Sequence, residues 1–184
     1  MRYDSDHERL MDIILRETDR LSTLVNDFLF FARPPAGKPE LINLKDAIED
    51  ITAMLEKDAT QEKQYRLTKE KVADVWVVMD PTHLRQVLWN LLLNAVQAIE
   101  DGGHVEVTVN EIRQKKVSIQ ISDNGCGIPG EVVQTIFDPF YTTKPEGTGL
   151  GLSIVHRILE AYSSRLDVTT LPDSGTTVSF ALQK

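Results

Sequence analysis

Residues 6–33 contain no glycine or proline, and Leu10, Ile14, Leu21, Val25 and Phe28 recur at intervals of three, four or seven, interrupted by Glu17. That spacing predicts one long amphipathic α-helix. Glu8, Arg9, Asp12, Arg16, Asp19 and Arg20 fall on its polar, solvated side. A helix of this length, roughly 40 Å at 1.5 Å per residue, cannot bury its own stripe and needs a partner helix, most simply from a second copy of the chain. The run Pro34-Pro35-Ala36-Gly37-Lys38-Pro39 ends it and opens a linker over residues 34–40.

A globular pattern occupies residues 41–184. A short strand is expected at 41–43, a helix at 44–58 and β signals at 65–67. Residues 75–79 form a continuous apolar run, as in a strand covered on both faces. Asp80 as cap and Pro81 just inside the start open a helix that runs to about residue 100, where Asp101-Gly102-Gly103 stops it. Alternating segments at 104–111 and 116–122 read as a strand pair. An irregular Gly/Pro stretch follows, then a helix at 150–162 and closing strands at 165–169 and 176–182. Helices and strands interleave while the last strands are hairpin-like, so the fold class expected is α+β, a mixed sheet covered by helices on one face.

Composition narrows the function. With 20 Lys and Arg against 28 Asp and Glu the net charge is −8, and no basic cluster is present, which argues against a nucleic-acid surface. No apolar stretch reaches the length of a membrane span, so no membrane contact is expected. The single cysteine, Cys126, cannot form an internal disulfide, which suits a reducing, cytoplasmic setting. Cys126 itself is expected to fill a gap between two glycines, and Trp76 and Trp89 to belong to the core.

Seven of the ten glycines lie between positions 125 and 175, so backbone there approaches something closely. Three features flank or occupy this region. On the helix from Pro81, otherwise apolar nearly all round, Gln86, Asn90, Asn94 and Gln97 fall on one line; their oxygens suit a hard cation such as Mg²⁺, or the line is an ordinary solvated stripe. Asp123 ends an alternating strand and runs into Asn124-Gly125-Cys126-Gly127-Ile128; it can accept from an exocyclic amine such as that of adenine, or close a simple turn. Lys144 precedes Gly147, Gly149 and Gly151 at the start of a helix, an anion cradle or a flexible connection. The lysine precedes the glycines, so the segment is not a P-loop.

These motifs, in this order, resemble sensor histidine kinases. Asn90-Leu91-Leu92-Leu93-Asn94-Ala95 resembles the N box and Asp123-Asn124-Gly125-Cys126-Gly127-Ile128 the first glycine box. Phe137-Asp138-Pro139-Phe140-Tyr141-Thr142-Thr143-Lys144 is similar to the F box with its lid, Gly147-Thr148-Gly149-Leu150-Gly151-Leu152 to the second glycine box, and Gly175-Thr176-Thr177 to the closing element. The short lid is most like that of nitrogen- and pilus-regulatory kinases. The resemblance implies a Bergerat-type ATP-binding α/β sandwich over residues 41–184, preceded in residues 1–33 by the second helix of a dimerisation hairpin. It implies ATP or ADP and Mg²⁺ as cofactors. Asp123 would bond adenine directly and through water to Thr177 or Thr176, Asn94 with Asn90 would hold Mg²⁺, and Lys144, Gly149 and Gly151 would steady the triphosphate under a mobile lid over residues 130–148. Gly125, Gly127, Ile128, Phe140, Thr142, Thr143, Gly147, Thr148, Leu150 and Leu152 complete the implied nucleotide site. The implied partners are the hairpin of the same kinase in a homodimer and the receiver domain of a response regulator.

The chain departs from the family in one respect. The acceptor there is a histidine followed by an acidic residue and, a few positions on, a proline. His7-Glu8 imitates the first two, but Asp12 stands where the proline would, and His83, His104 and His156 lack the context. The ATP-binding engine is therefore expected without its phosphorylation site, with sensor and first helix upstream in a longer protein. A nucleotide-gated interaction module is the competing reading. An ATPase of the chaperone or topoisomerase branch is disfavoured, because Gln86 and Asn90 replace an acidic general base.

Overall fold

The computed structural model describes residues 3–32, 36–59, 65–72, 74–112, 115–144 and 147–184. Residue 33 at the end of the expected helix, residues 34 and 35 of the expected linker and two lid positions (145 and 146) lie outside the described residues. The elements are α1 (Tyr3–Ala32), β1 (Glu40–Asn43), α2 (Leu44–Ala59), β2 (Tyr65–Val72), β3 (Trp76–Met79), α3 (Pro81–Ala98), β4 (Gly103–Ile112), β5 (Lys116–Asp123), α4 (Gly151–Ala161), β6 (Asp167–Leu171) and β7 (Gly175–Gln183).

Five strands form a mixed sheet in the order β2-β4-β5-β7-β6, with β2 parallel to β4 and the other neighbours antiparallel. Alternation decides which face is covered. Val105, Val107 and Val109 of β4 and Val117, Ile119 and Ile121 of β5 are buried, whereas Glu106, Thr108, Ser118, Gln120 and Ser122 between them are half-buried on the other face. Leu84, Leu88, Leu91, Leu92 and Ala95 of α3 and Ile154, Val155 and Ile158 of α4 complete that core. This is the α/β sandwich the sequence predicts. Asp80 caps α3 as expected, its Oδ1 accepting from the N–H of Thr82 at 2.8 Å and of His83 at 3.2 Å.

β3 differs from expectation. Among the described residues it pairs with β1 alone, in a separate two-stranded sheet. Val77 and Met79 are buried, but Trp76 is 51% and Val78 38% exposed, so the strand is covered on one face and Trp76 is not a core residue. A short apolar run does not by itself report how many layers lie over it. β2 continues to Val72, well past the expected residue 67, because an edge strand beside β4 tolerates charged positions.

α1 is a single 30-residue helix with Leu10, Ile14, Leu21, Val25 and Phe28 exposed. Of its expected polar positions Arg9 is exposed, and the side chains of Glu8, Asp12, Arg16, Asp19 and Arg20 lie outside the described residues. Its C-terminal end packs on the rest of the chain. Phe30 packs edge-on against His83, Phe31 lies 6.5 Å from Phe140, and the Arg157 guanidinium stands 4.7 Å over the Phe31 ring and donates to the Phe31 carbonyl.

Candidate functional site

Asp123 follows Val117, Ile119 and Ile121 in the core-facing row of β5, so its carboxylate stands where the apolar floor ends. The backbone N–H groups of Gly125 and Thr176 donate to its Oδ1 at 2.9 and 3.2 Å. Burial pushes its pKa up, opposed by those two donors and by the charge of Lys144. Register explains the approach of Thr176, which pairs with Asp123, while Gly175 begins β7 at φ +92°, where an added Cβ would meet the Asp123 carbonyl oxygen at 1.9 Å. Only glycine lets β7 start so close.

Facing that strand end, α3 turns its carboxamide line inward. Gln86, Asn90 and Asn94 are half-buried and line the same space as Asp123, so the line is not a solvated stripe, although Gln97 at its end is exposed. Asn90 Nδ2 is buried without a hydrogen-bond partner among the described residues. Beside it, α4 begins tight against the Asn90 side chain, where a Cβ on Gly151 would lie 3.2 Å from Oδ1. Lys144 reaches over from the glycine-rich stretch and donates to Asn94 Oδ1 at 3.2 Å and Gln97 Oε1 at 2.5 Å. Ahead of α4, Gly149 at φ +67° lies against Phe140 and accepts its N–H at 2.9 Å, which folds the loop back on itself.

These walls enclose a cavity of about 700 Å³, large enough for a nucleotide, with Ile121, Val168 and Val178 as apolar floor and Ile128, Val132 and Ile136 to one side. Of the residues expected from the sequence, Asn90, Asn94, Asp123, Gly127, Ile128, Thr142, Thr143, Lys144, Gly147, Thr148, Gly149, Gly151, Leu152 and Thr176 line it. Four do not. Gly125 is buried behind Asp123, Leu150 is fully buried in the core, and Phe140 is 60% exposed against Phe31. Thr177 lies on the sheet's other face with its hydroxyl 3.0 Å from that of Ser122, so of the two threonines Thr176 is the one at the cavity. His83 also lies away from it, buried with Nδ1 2.9 Å from the Tyr162 hydroxyl.

The cavity has lining that the sequence reading missed. Trp89 and Cys126 contribute to it, so they are not only packing residues, while Gln86 and Gln97 join it as members of the expected carboxamide line. Thr23, Asn26 and Asp27 of α1 also reach it, at i, i+3 and i+4 on one face of the helix. Asp27 Oδ2 accepts from the Thr148 hydroxyl at 3.2 Å, and burial pushes the Asp27 pKa up against the lowering effect of that bond. A polar triplet interrupting a seam of exposed leucines was the available signal.

Among the described residues no group of three or more His, Cys, Asp or Glu could cage a metal. The donor set is neutral carboxamide oxygen, which fits a cation that takes most of its ligands from water and phosphate.

A mixed sheet with helices on one face and a cavity between a strand-end carboxylate and a carboxamide-bearing helix defines the class. The family of histidine kinase-, DNA gyrase B- and HSP90-like ATPases matches over residues 79–184, and the chain belongs to it. Within that family it is similar to sensor histidine kinases. It is 34% identical over 97% of its length to the sensor histidine kinase ZraS of Klebsiella oxytoca, of which it spans 39%. Two solved structures share its shape. Full-length ShkA in complex with AMPPNP is 26% identical with a TM-score of 0.80, covering 95% of this chain and 38% of that one. Histidine kinase ThkA in complex with the response regulator TrrA is 28% identical with a TM-score of 0.77, covering 93% and 49%.

Proposed function

We propose that the chain is the catalytic part of a sensor histidine kinase, binding Mg-ATP in the cavity and passing the γ-phosphoryl to a histidine on a dimerisation hairpin, for relay to a response regulator. The observation that carries this reading is the placement of Asp123 at the end of an apolar floor, opposite Asn94 and Lys144. Asp123 accepts from the adenine amine, with Oδ1 oriented by two backbone donors, while Ile121, Ile128 and Val178 exclude water from the ring. Lys144 and the N–H groups around Gly149 and Gly151 face the phosphates. Asn94 and Asn90 would hold Mg²⁺, which neutralises charge on the transferring phosphoryl group. For the polypeptide the task is positioning and electrostatic stabilisation.

ShkA binds AMPPNP and ThkA binds a response regulator, which supports both ends of the reaction. The four histidines support an acceptor outside this chain: His7 is exposed on α1 in the wrong sequence context, His83 is buried, His104 bonds Thr68, and His156 lies exposed beside Phe137. In this reading residues 1–33 are one helix of the hairpin, residues 34–40 the linker, residues 41–184 the catalytic domain, and the setting is the cytoplasm. No described helix is long and apolar enough to cross a membrane. The contact of Asp27 with Thr148 favours a second reading, a nucleotide-gated interaction module without phosphoryl transfer.

Incubation with radiolabelled Mg-ATP and a separate hairpin carrying the acceptor histidine distinguishes the two. Acid-labile, base-stable phosphate on the added hairpin and none on the chain itself is the expected result. Nucleotide binding without transfer would leave the module, and label on the chain alone would overturn the acceptor assignment.

A further inference from the structure

α1 lies outside the matched ATPase segment, yet it puts a carboxylate into the cavity. Asp27 accepts the hydroxyl proton of Thr148, in the loop between Lys144 and the start of α4 that faces the phosphates in the reading above. Its neighbours Thr23 and Asn26 line the same wall, and Phe31 one turn on is clamped between Phe140 and Arg157. The helix is thus fixed on the catalytic part at two places, an apolar one at its end, where Phe30 meets His83 and Phe31 meets Phe140, and an anionic one inside the cavity.

We propose that Asp27 and the triphosphate compete for Thr148, so that docking of α1 and binding of ATP oppose one another. The inference rests on the nucleotide reading and adds its regulation. A carboxylate cannot share a hydroxyl donor and a low-dielectric wall with phosphate oxygens without repulsion, and the polyanion carries the larger charge. The triphosphate takes over the Thr148 hydroxyl and drives the carboxylate out, loosening the inner of the two fixing points. The coupling is reciprocal: whatever pulls α1 away from the cavity raises ATP affinity by the factor by which ATP weakens the docking. The adenine end of the cavity, at Asp123, plays no part in it.

The test is calorimetric titration of the whole chain and of Asp27→Asn with ATP, Mg-ATP and adenosine. Metal-free ATP is expected to bind the variant on the order of tenfold more tightly, and adenosine within about twofold of wild type, because only the phosphates meet the charge. The gain shrinks as salt is raised. A second readout is amide hydrogen exchange over residues 23–31, expected to quicken with ATP and not with adenosine. Equal ATP affinities in the two proteins, or weaker Mg-ATP binding in the variant, would overturn the competition, the latter by making Asp27 a cation ligand. A wild-type chain that bound adenosine and ATP equally poorly would instead remove the nucleotide reading itself.

Discussion

The N–H of Thr176 donates to Asp123 Oδ1 at 3.2 Å, joining the end of β5 to the start of β7 and holding the carboxylate still at the cavity floor. With Gly125 as the second donor on the same oxygen, the orientation of Asp123 is set by backbone alone. Replacing it by Asn keeps the shape but substitutes an amide for an anionic acceptor. Hydrogen bonds to charged groups contribute about 1.5–3 kcal/mol, so Asp123→Asn is expected to weaken ATP binding by roughly ten- to a hundredfold. Titration with ATP and adenosine checks this, and both ligands should lose affinity alike.

The same substitution should raise stability at neutral pH. Burial is the largest influence on Asp123 and lifts its pKa above the usual 3.8 despite the donors around it. The folded state therefore holds the proton more tightly than the unfolded chain. The stabilisation this gives is fully present below pH 3.8 and is lost as pH rises through the raised value, leaving the ionised carboxylate at a cost near pH 7. The difference in melting temperature between Asp123→Asn and wild type should accordingly be near zero below pH 3.8, grow with pH above it, and level off. A variant less stable than wild type at pH 7 would contradict this.

Lys144 connects the loop to α3 through Asn94 and Gln97. Lys144→Met removes the cation and both bonds while keeping the aliphatic stem. The expected consequence is a fall of about tenfold or more in affinity for ATP, with adenosine affected far less, since the charge bears directly on the phosphates and is the smallest of the influences on Asp123. Because the two carboxamides it leaves can turn to water at the cavity mouth, the melting temperature should move little.

How far the site could be read from sequence depended on whether the deciding interaction was local. The row Val117, Ile119, Ile121, Asp123 and the turn after it are contiguous, so alternation alone places the carboxylate at a cavity. Asp80 and Pro81 fix the start of α3, and hence the phase of the carboxamide line, in the same way. The choice between Thr176 and Thr177 is a matter of register, where one residue reverses the face, and it was set only by the pairing of β5 with β7. Leu150 and Phe140 sit inside motifs whose neighbours face the cavity, yet burial takes the first and the contact with Phe31 the second. Asp27 was illegible because its partner lies 121 positions away on an element whose docking no local pattern specifies.

Gly175 tests the geometry at the mouth of β7. An alanine there would have to adopt φ +92° and bring its Cβ to 1.9 Å from the Asp123 carbonyl oxygen, a backbone atom that cannot swing aside. Strained backbone of this kind costs about 1–3 kcal/mol before any steric clash. Gly175→Ala should therefore lower the melting temperature by several degrees, at roughly 2–4 °C per kcal/mol for a chain of this size. It should also loosen ATP binding, because relief of the clash displaces Asp123 itself. Gly130→Ala, where an added Cβ meets nothing within 4 Å, serves as the control and should change neither.

α1 supplies the last prediction. Its stripe of Leu10, Ile14, Leu21, Val25 and Phe28 is between 47% and 61% exposed, while Phe30 and Phe31 at its end are already packed on the catalytic part. Covering such side chains stabilises by about 1.5–3 kcal/mol each when complete, and a helix this long offers them along one face, broken at Glu17, that a second copy can match. The chain is therefore expected to sediment as a concentration-dependent dimer. Placing charge in the seam with Ile14→Glu and Leu21→Glu should return it to monomer with unchanged circular dichroism at low concentration. ATP affinity should stay that of wild type, because neither side chain lines the cavity. Identical sedimentation of the two proteins across concentration would show that the stripe is not a self-association surface.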